Sequence, residues 1–229
     1  KIYMHILYED NHIIAVNKSS SEIVQGDKTG DKPLVESVKE YLKERYLKSG
    51  NVFCGVVHRL DRPVSGVVIF AKTSKALARL NEILALRQIT KKYWAIVSSP
   101  PQEPQGTLRH FLVRNEQQNK SYAYPKAVPQ SKEAVLHYKT LGKSDRYTLL
   151  EVDLETGRHH QIRCQLAAMG CIIKGDLKYG APRSNRGGGI SLHARSVEFV
   201  HPVKQERIVI EAPVPDDTLW QAITKNLQQ

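Results

Sequence analysis

Two short apolar runs separated by a cluster of charge constrain the fold of this chain more than any other feature. The runs, "VFCGVV" at 52–57 and "GVVIFAK" at 66–72, are rich in β-branched residues and short enough to be buried strands. Between them lies "HRLDRPVS" at 58–65, with one carboxylate among two arginines and a histidine. A turn between buried strands holds its side chains on a rigid support. The sequence therefore predicts that this turn presents functional groups.

Strand and helix patterns follow one another along the rest of the chain. Helical spacing predicts four helices. The first runs from Pro33 to a stop at Gly50, and the second begins after a cap at Thr73 or Ser74. The third ends at Gly170, and the fourth lies in "PDDTLWQAITKNL". Two polar stretches, 100–106 and 115–119, carry no strand pattern. Strands are predicted at "HIIAVNK", "KKYWAIV", "EAVLHYKTLG", "RYTLLEVDL", "SLHARSVEFV" and "RIVIEAP". We expect an α+β fold, with a mixed, mainly antiparallel central sheet, flanking helices and an active-site cleft.

Composition narrows the class of partner. The 34 Lys and Arg residues outnumber the 23 Asp and Glu residues and give a net charge of +11, which suits a polyanion such as a nucleic acid. The cysteines Cys54, Cys164 and Cys171 form no CxxC pair, so we expect small buried side chains and neither disulfides nor a zinc site. Neither a membrane span nor a signal peptide is recognisable, so we expect a cytoplasmic protein without a membrane partner.

Asp61 is the atypical residue of the charged turn. A carboxylate at the edge of a core must be hydrogen-bonded or paired, because burial would otherwise shift its pKa and neutralise it. The residues alone leave two interpretations open. Asp61 pairs with Arg59 or Arg62 to hold the turn, or it takes part in chemistry.

A second polar cluster lies in "LETGRHHQIRCQLAAMG", residues 154–170. Its first residues predict a turn, and Ile162, Leu166 and Met169 then recur at helical spacing. Free backbone N–H groups at the start of a helix favour a phosphate. The cluster therefore predicts a nucleotide contact, with a solvated polar face as the alternative. Its polar members are Arg158, His159, His160 and Gln161.

Taken together, these stretches resemble a known family. "HRLDRPVSG" and "TGRHHQIR", followed by "GCIIKGDLKYG", are similar to the second and third signature motifs of the RluA-type pseudouridine synthases, which are RNA-modifying isomerases. "KKYWAIV" resembles the family's lysine-any-tyrosine motif, "ILYEDNHIIAVNK" its entry strand, and "SLHARSVEFVHP" its late strand. The matches come in the family's order. The resemblance implies the pseudouridine synthase fold and the isomerisation of uridine in structured RNA, either rRNA or tRNA.

The resemblance also implies a role for individual residues. Asp61 would be the catalytic carboxylate, and Arg163 would be its ion-pair partner, since a nearby cation lowers a carboxyl pKa by roughly one to three units. Tyr93 would stack on the target uracil and is a candidate general base. The reaction requires no cofactor, and no metal is expected. Residues expected to bind the RNA are His58, Arg59, Arg62, Arg158, His160 and Gln161.

Some positions depart from the family pattern. Val64 stands where threonine is usual, Cys164-Gln165 where Val-His is usual, Ile172 where proline is usual, and Ser19 replaces the proline after Lys18. These departures concern the turn geometry and the RNA contacts. We further expect one catalytic domain over residues 1–229, without an S4-like RNA-binding module, acting as a monomer.

Two other classes of protein stay open. A metal-dependent nuclease could use His58 and Asp61 with His159 or His160 as ligands, although the acidic residues do not gather in the pattern of two-metal chemistry. A noncatalytic RNA-binding protein would keep the basic surface and lose the reaction. That protein would form no pseudouridine and would still bind RNA after Asp61→Asn.

Overall fold

A computed structural model describes residues 4–228, except for the side chain of residue 228. The chain divides into two compact units, Lys1–Thr90 with Ala194–Pro213 and Lys91–His193 with Val214–Gln229. Each unit combines antiparallel strands with helices, so the expected α+β class with mainly antiparallel pairing is confirmed. The single catalytic domain over residues 1–229 stays a prediction.

In chain order, the elements of the described residues are β1 (His5–Glu9), β2 (Ile13–Lys18), α1 (Leu34–Arg45), β3 (Gly55–Val56), β4 (Ser65–Ala71), α2 (Ser74–Ala85), β5 (Thr90–Val97), β6 (Gln105–Asn115), β7 (Lys120–Tyr124), β8 (Lys132–Lys143), β9 (Thr148–Leu154), α3 (Gln161–Ala168), β10 (Leu192–Val200), β11 (Arg207–Glu211) and α4 (Thr218–Thr224). Two short 3-10 helices cover Leu177–Tyr179 and Lys225–Gln228.

In the first unit the strand order is β1-β2-β4-β10, with β3 beside β4 and β11 beside β10. Strand β4 is buried at all seven positions, which explains why its sequence is continuously apolar. The core joins this strand to helix α2 and to the β10–β11 pair. Its buried members are Ile13, Ala15, Val67, Ile69, Ala71, Ala76, Leu80, Val197, Phe199, Ile210 and Ala212.

The first of the two apolar runs is mostly irregular, which corrects the predicted strand at 52–57. Only Gly55 and Val56 pair with β4. A Cβ atom on Gly55 would lie 2.8 Å from Leu77 Cδ2, so helix α2 packs directly against the backbone here. At the start of β4, Gly66 has φ +121°, and a Cβ there would lie 2.3 Å from the Ala194 carbonyl oxygen. Glycine is therefore required at this position of the motif.

The first two helices begin near the predicted residues. Pro33 is the N-cap of α1, one residue before the predicted first turn. The helix ends at Arg45 rather than at Gly50, because Leu47 adopts the left-handed conformation with φ +50°. Thr73 caps α2, and its hydroxyl accepts a hydrogen bond from the Ala76 N–H.

In the second unit the strand order is β5-β9-β8-β6-β7, and these pairings are antiparallel. Strands β6 and β7 were not predicted. Helix α3 packs on one face of this sheet with the buried Leu112, Ala134, Cys164 and Tyr179. Helix α4 packs through Trp220 and Ile223 on Ile96 and Leu149.

The three cysteines are buried, as predicted, and each is a free thiol. Burial raises the pKa of the Cys54 thiol to about 12 and that of Cys164 to about 11, so both remain protonated at neutral pH. Among residues 4–228, no helix has the length and apolar character needed to cross a membrane.

Candidate active site

The charged turn holds Asp61 in a fixed backbone geometry. The Val64 N–H donates to the Asp61 carbonyl oxygen at 2.9 Å, which closes a tight turn around Arg62 and Pro63. Val64 is 3% exposed and packs into the core. The turn therefore closes through the backbone, without the hydroxyl of the threonine that is usual in the family.

A buried lysine ties this turn to the segment that follows β2. Lys18 is 1% exposed, and its ammonium donates to the carbonyl oxygens of Ser19 at 2.8 Å, Glu22 at 2.7 Å and Arg62 at 3.0 Å. Burial lowers the pKa of Lys18 to about 8, while the negative charges of Glu22 and Asp61 oppose that shift. Lys18 therefore places a positive charge close to Asp61 and holds the backbone of Arg62, the residue that follows Asp61.

His58 supports the same turn from its other side. Its Nε2 accepts a hydrogen bond from the Ile69 N–H of β4 at 2.9 Å. Because β3 ends at Val56, it does not extend far enough to pair with Ile69. The imidazole instead accepts the hydrogen bond from the Ile69 N–H, which a longer β3 would have accepted. His58 is therefore bonded to the backbone of the scaffold.

The two arginines of the turn differ in their surroundings. Arg62 forms ion pairs with Asp27 at 3.4 Å and Asp31 at 3.0 Å, and its guanidinium also donates to the Ser21 carbonyl oxygen. Arg62 therefore anchors the segment between β2 and α1, a role that the sequence did not suggest. Arg59 is exposed to solvent.

Tyr93 lies on β5, where it is half-buried and sits opposite Val152 of β9 in the strand register. The next residue, Trp94, donates from Nε1 to a carboxylate oxygen of Glu151 at 3.1 Å. A pair of hydrogen-bonded strands is a rigid support for an aromatic ring. Tyr93 is therefore held on a rigid support, and its stacking on uracil stays a prediction.

Arg163 makes a two-point ion pair with Asp176. Its Nε donates to Oδ2 and its Nη2 to Oδ1, each at 2.8 Å, and the two side chains are 7% and 1% exposed. Such paired hydrogen bonds fix the plane of a guanidinium group as well as its position. The motif "GDLKYG" contains Asp176, but its spacing gave no sign of this pairing.

His160 and Tyr179 extend the contacts of Arg163. Arg163 Nη1 lies 3.3 Å from His160 Nε2, and His160 Nδ1 lies 2.9 Å from the Tyr179 hydroxyl. A neutral imidazole has one donor and one acceptor, so Nε2 accepts from the arginine and Nδ1 donates to the tyrosine. The Tyr179 oxygen also accepts from the Ser121 N–H at 2.9 Å. We call Arg163, Asp176, His160 and Tyr179 the arginine network.

The two histidines at the start of α3 are held neutral. Their rings stack, with centroids 3.8 Å apart. Burial, reinforced by the charge of Arg163, lowers the pKa of His160 to about 2. Burial and the nearby charges of Arg114 and Arg163 lower the pKa of His159 to about 4. Both imidazoles therefore act as hydrogen-bonding groups and not as cations at neutral pH.

Gln161 and Arg158, which were predicted to contact RNA, hold the turn before α3. Gln161 is 3% exposed, and its Oε1 accepts from the Thr156 hydroxyl at 2.8 Å and the Arg158 N–H at 3.0 Å. Its Nε2 donates to the Val135 carbonyl oxygen at 3.1 Å. Arg158 Nε donates to the Glu133 carbonyl oxygen, and the side chain remains partly exposed.

Among residues 4–228, no group of three or more His, Cys, Asp or Glu side chains is arranged to hold a metal ion.

Residues 12–168 match the model of the family described as RNA pseudouridylate synthase. The chain belongs to this family. Family membership identifies an enzyme that isomerises uridine to pseudouridine in RNA, and it confirms the resemblance carried by the sequence motifs.

Relatives of this pseudouridine synthase match over most of its length. An uncharacterized RNA pseudouridine synthase of Bacillus subtilis is 35% identical over 221 residues, which cover 93% of this chain and 70% of the relative. The ribosomal large subunit pseudouridine synthase C of Buchnera aphidicola is 34% identical over 233 residues, covering 97% of this chain and 70% of the relative. The ribosomal large subunit pseudouridine synthase D of Xylella fastidiosa is 34% identical over 230 residues, with 94% and 67% covered.

Solved structures confirm the fold. Human RNA pseudouridylate synthase domain containing 4 superposes with a TM-score of 0.79 at 22% identity, over 98% of this chain and 93% of that one. Human RNA pseudouridylate synthase domain containing 1 gives a TM-score of 0.78 at 23% identity, over 96% and 87%. The predicted pseudouridine synthase fold is therefore correct.

Proposed function

We propose that this pseudouridine synthase modifies one or a few specific uridines in structured RNA, with Asp61 as the catalytic carboxylate. The reaction breaks the N1–C1′ bond, joins C5 to C1′, and moves a proton from C5 to N1, so that no electrons are gained or lost. An ionised carboxylate can add to C1′ or to the uracil ring, or it can assist elimination to a glycal. The proposal requires only that Asp61 be ionised and held in position.

The rigid presentation of Asp61 is the observation that carries this proposal. Its turn is closed by the Val64 N–H, held to β2 by the bond from the Lys18 ammonium to the Arg62 carbonyl oxygen, and held to β4 by the bond that His58 accepts from the Ile69 N–H. One bond within the turn and one each to β2 and β4 thus fix the backbone on both sides of this carboxylate. A carboxylate serving only to pair within its turn would not need this support.

Arg163 and Tyr93 complete the proposed catalytic set. Arg163 would keep Asp61 ionised, since a neighbouring cation lowers a carboxyl pKa. A guanidinium group has five N–H donors, and Asp176 and His160 account for three of those in Arg163, so its donor count suffices for a second carboxylate. Tyr93 would stack on the uracil and is the candidate base for the C2′ proton.

Ribosomal RNA is the substrate class that we propose first, with tRNA as the second. The support is that relatives 34% identical to this chain are named ribosomal large subunit pseudouridine synthases. Binding would need the target nucleotide to leave its stack. Three arginines would contact phosphates, namely Arg59, Arg62 and Arg158. The RNA-binding site would also include His58, His160 and Gln161, which hold neighbouring backbone and side-chain groups in position. We further propose that residues 1–229 act in the cytoplasm as one catalytic domain and as a monomer.

Pseudouridine mapping tests the proposal and identifies the substrate at once. RNA from cells lacking the gene is compared with RNA from the same cells complemented by wild type, Asp61→Ala or Asp61→Asn. We expect one or a few sites to be restored by wild type alone. Full restoration by Asp61→Ala would refute the catalytic role. Purified Asp61→Asn should still bind the RNA, which shows that the variant is folded.

A further inference from the structure

Strand β7 presents two exposed tyrosines on one face. Tyr122 and Tyr124 are 38% and 40% exposed, and residues two apart in a strand point to the same side. In the register with β6, Tyr122 lies opposite Val113 and Tyr124 opposite Phe111. The four side chains form an apolar surface on the β6–β7 hairpin, which we call the hairpin face.

The hairpin face is not the side of the two strands that packs in the hydrophobic core. The opposite side of the same strands carries Leu112 and Ala123, which pack with Cys164 and Tyr179 beneath helix α3. Among the described strands, β7 pairs only with β6 and ends the sheet of its unit. An apolar face on an edge strand is a liability unless it binds something. We therefore expect the hairpin face to bind a partner.

The charge around the hairpin face points to a polyanionic partner. Residues 109–133 contain five Lys and Arg and two carboxylates, Glu116 and Glu133. Glu133 pairs with Arg109, and the other four cations leave the hairpin with a net positive charge. The Lys120 ammonium lies 5.3 Å from the centre of the Tyr122 ring. Lys126 is exposed just beyond the end of β7. Aromatic rings interleaved with cations suit nucleotides, because every base can stack on a ring while its phosphate meets a cation.

We propose that the hairpin face is an RNA-binding surface that holds two neighbouring unpaired nucleotides of the substrate RNA. The bases stack on Tyr122 and Tyr124, whose positions along the strand are roughly 7 Å apart. Lys120 and Lys126 contact the phosphates. This inference rests on the proposed function for its partner, and it names a part of the substrate outside the target uridine.

Direct binding measurements test this surface. Titration of a fluorescein-labelled, ten-nucleotide single-stranded RNA with the full chain is followed by fluorescence anisotropy. The double substitution of Tyr122→Ala with Tyr124→Ala should raise the Kd by about thirtyfold or more, because two stacked bases are lost. The Tyr122→Phe and Tyr124→Phe pair should bind like wild type, since the rings remain. The matched control is Phe53→Ala, which removes an aromatic that is 44% exposed in the other unit and should leave the Kd unchanged.

Salt dependence provides a second readout. Each phosphate contact on single-stranded RNA contributes about 0.7 to the slope of log K against log salt concentration. Lys120→Ala should lower that slope by about this amount. The alanine pair of tyrosine variants should change the affinity at every salt concentration and leave the slope intact.

The outcomes separate this inference from the proposed function. Binding needs no isomerisation, so Asp61→Ala should bind the labelled RNA with wild-type affinity and show the same loss when the tyrosines are removed. An unchanged Kd in the tyrosine-to-alanine pair would overturn the inference, whatever the activity. Sedimentation completes the test, because a change of oligomeric state without a change of RNA affinity would show that the face binds a second copy of the chain.

Discussion

Arg163 and Asp176 form a buried two-point ion pair, with both nitrogen-to-oxygen distances at 2.8 Å. The proposed function assigns Arg163 to the reaction, and its orientation depends on a carboxylate 13 residues further along the chain. Burying two charges costs free energy that the pairing and its hydrogen bonds must offset. Asp176 is therefore a positioning residue for the proposed catalytic arginine.

Asp176→Ala should weaken both stability and turnover. Removing one partner of a buried pair leaves an uncompensated charge, which costs about 3–5 kcal/mol of the free energy of unfolding. Urea denaturation measures this loss, and single-turnover pseudouridine formation measures the rate. Glu40→Ala is a matched control, since its pair with Lys32 is about half exposed on both sides and its loss should change stability by about 1 kcal/mol at most. Wild-type stability in Asp176→Ala would contradict the described pairing.

Tyr179→Phe should reveal the contribution of one hydroxyl group. The Tyr179 oxygen bonds the Ser121 N–H and His160 Nδ1, and both groups are buried. Without it, each donor loses a partner at about 1–3 kcal/mol, so the unfolding free energy should fall while the ring still packs. Turnover should fall with KM nearly unchanged, because His160 then holds Arg163 less firmly. Steady-state kinetics at a temperature where both proteins are folded check this split, and an unchanged kcat would limit Tyr179 to a structural role.

The strands β6 and β7 show where sequence patterns fail. A strand with one buried face alternates apolar and polar residues, and that alternation reveals it. In "FLVRN" the outward Phe111 and Val113 are as apolar as the inward Leu112, so the alternation is lost. These apolar residues on the side away from the core form the hairpin face, and they are also the reason why the sequence pattern did not predict the two strands. By contrast, β4 was predictable because burial on both faces leaves a continuous apolar run.

The sequence motifs predicted which residues belong to the site, but they did not predict the contacts that these residues make. The resemblance placed Asp61, Tyr93 and Arg163 at named positions, yet nothing in the sequence indicated that Arg62 forms ion pairs with Asp27 and Asp31. Those partners lie in an irregular segment with no periodicity to fix its path. The arginine network joins residues in the first turns of α3 to residues in and next to the 3-10 helix Leu177–Tyr179, and such contacts depend on tertiary packing. Spacing along one element cannot reveal them.

The neutral His160 should make the protein lose stability in mild acid. Its pKa is lowered from 6.5 to about 2 in the folded protein, so the unfolded chain binds more protons below pH 6.5. The free energy of unfolding should therefore fall with decreasing pH, by about 2 kcal/mol from this group between pH 7 and pH 5. His160→Asn cannot titrate and should show a shallower decline over the same range. Above pH 7 the two proteins should have parallel curves, and equal slopes between pH 7 and pH 5 would contradict the prediction.

Lys18→Met should separate positioning of Asp61 from RNA binding. The ammonium holds the carbonyl oxygens of Ser19, Glu22 and Arg62, and methionine would fill the space without donating to them. Three buried acceptors then lose their donor, so the free energy of unfolding should fall by about 1–3 kcal/mol or more.

Because the Arg62 carbonyl is one of the three, the turn that carries Asp61 should loosen, and kcat should fall by about tenfold or more. The Kd for RNA should stay within about twofold of wild type, since Lys18 is 1% exposed and cannot reach a phosphate. Lys28→Met, at an exposed position of the same segment, should leave kcat and stability unchanged. A Lys18→Met variant that is less stable but turns over like wild type would restrict Lys18 to holding the segment after β2.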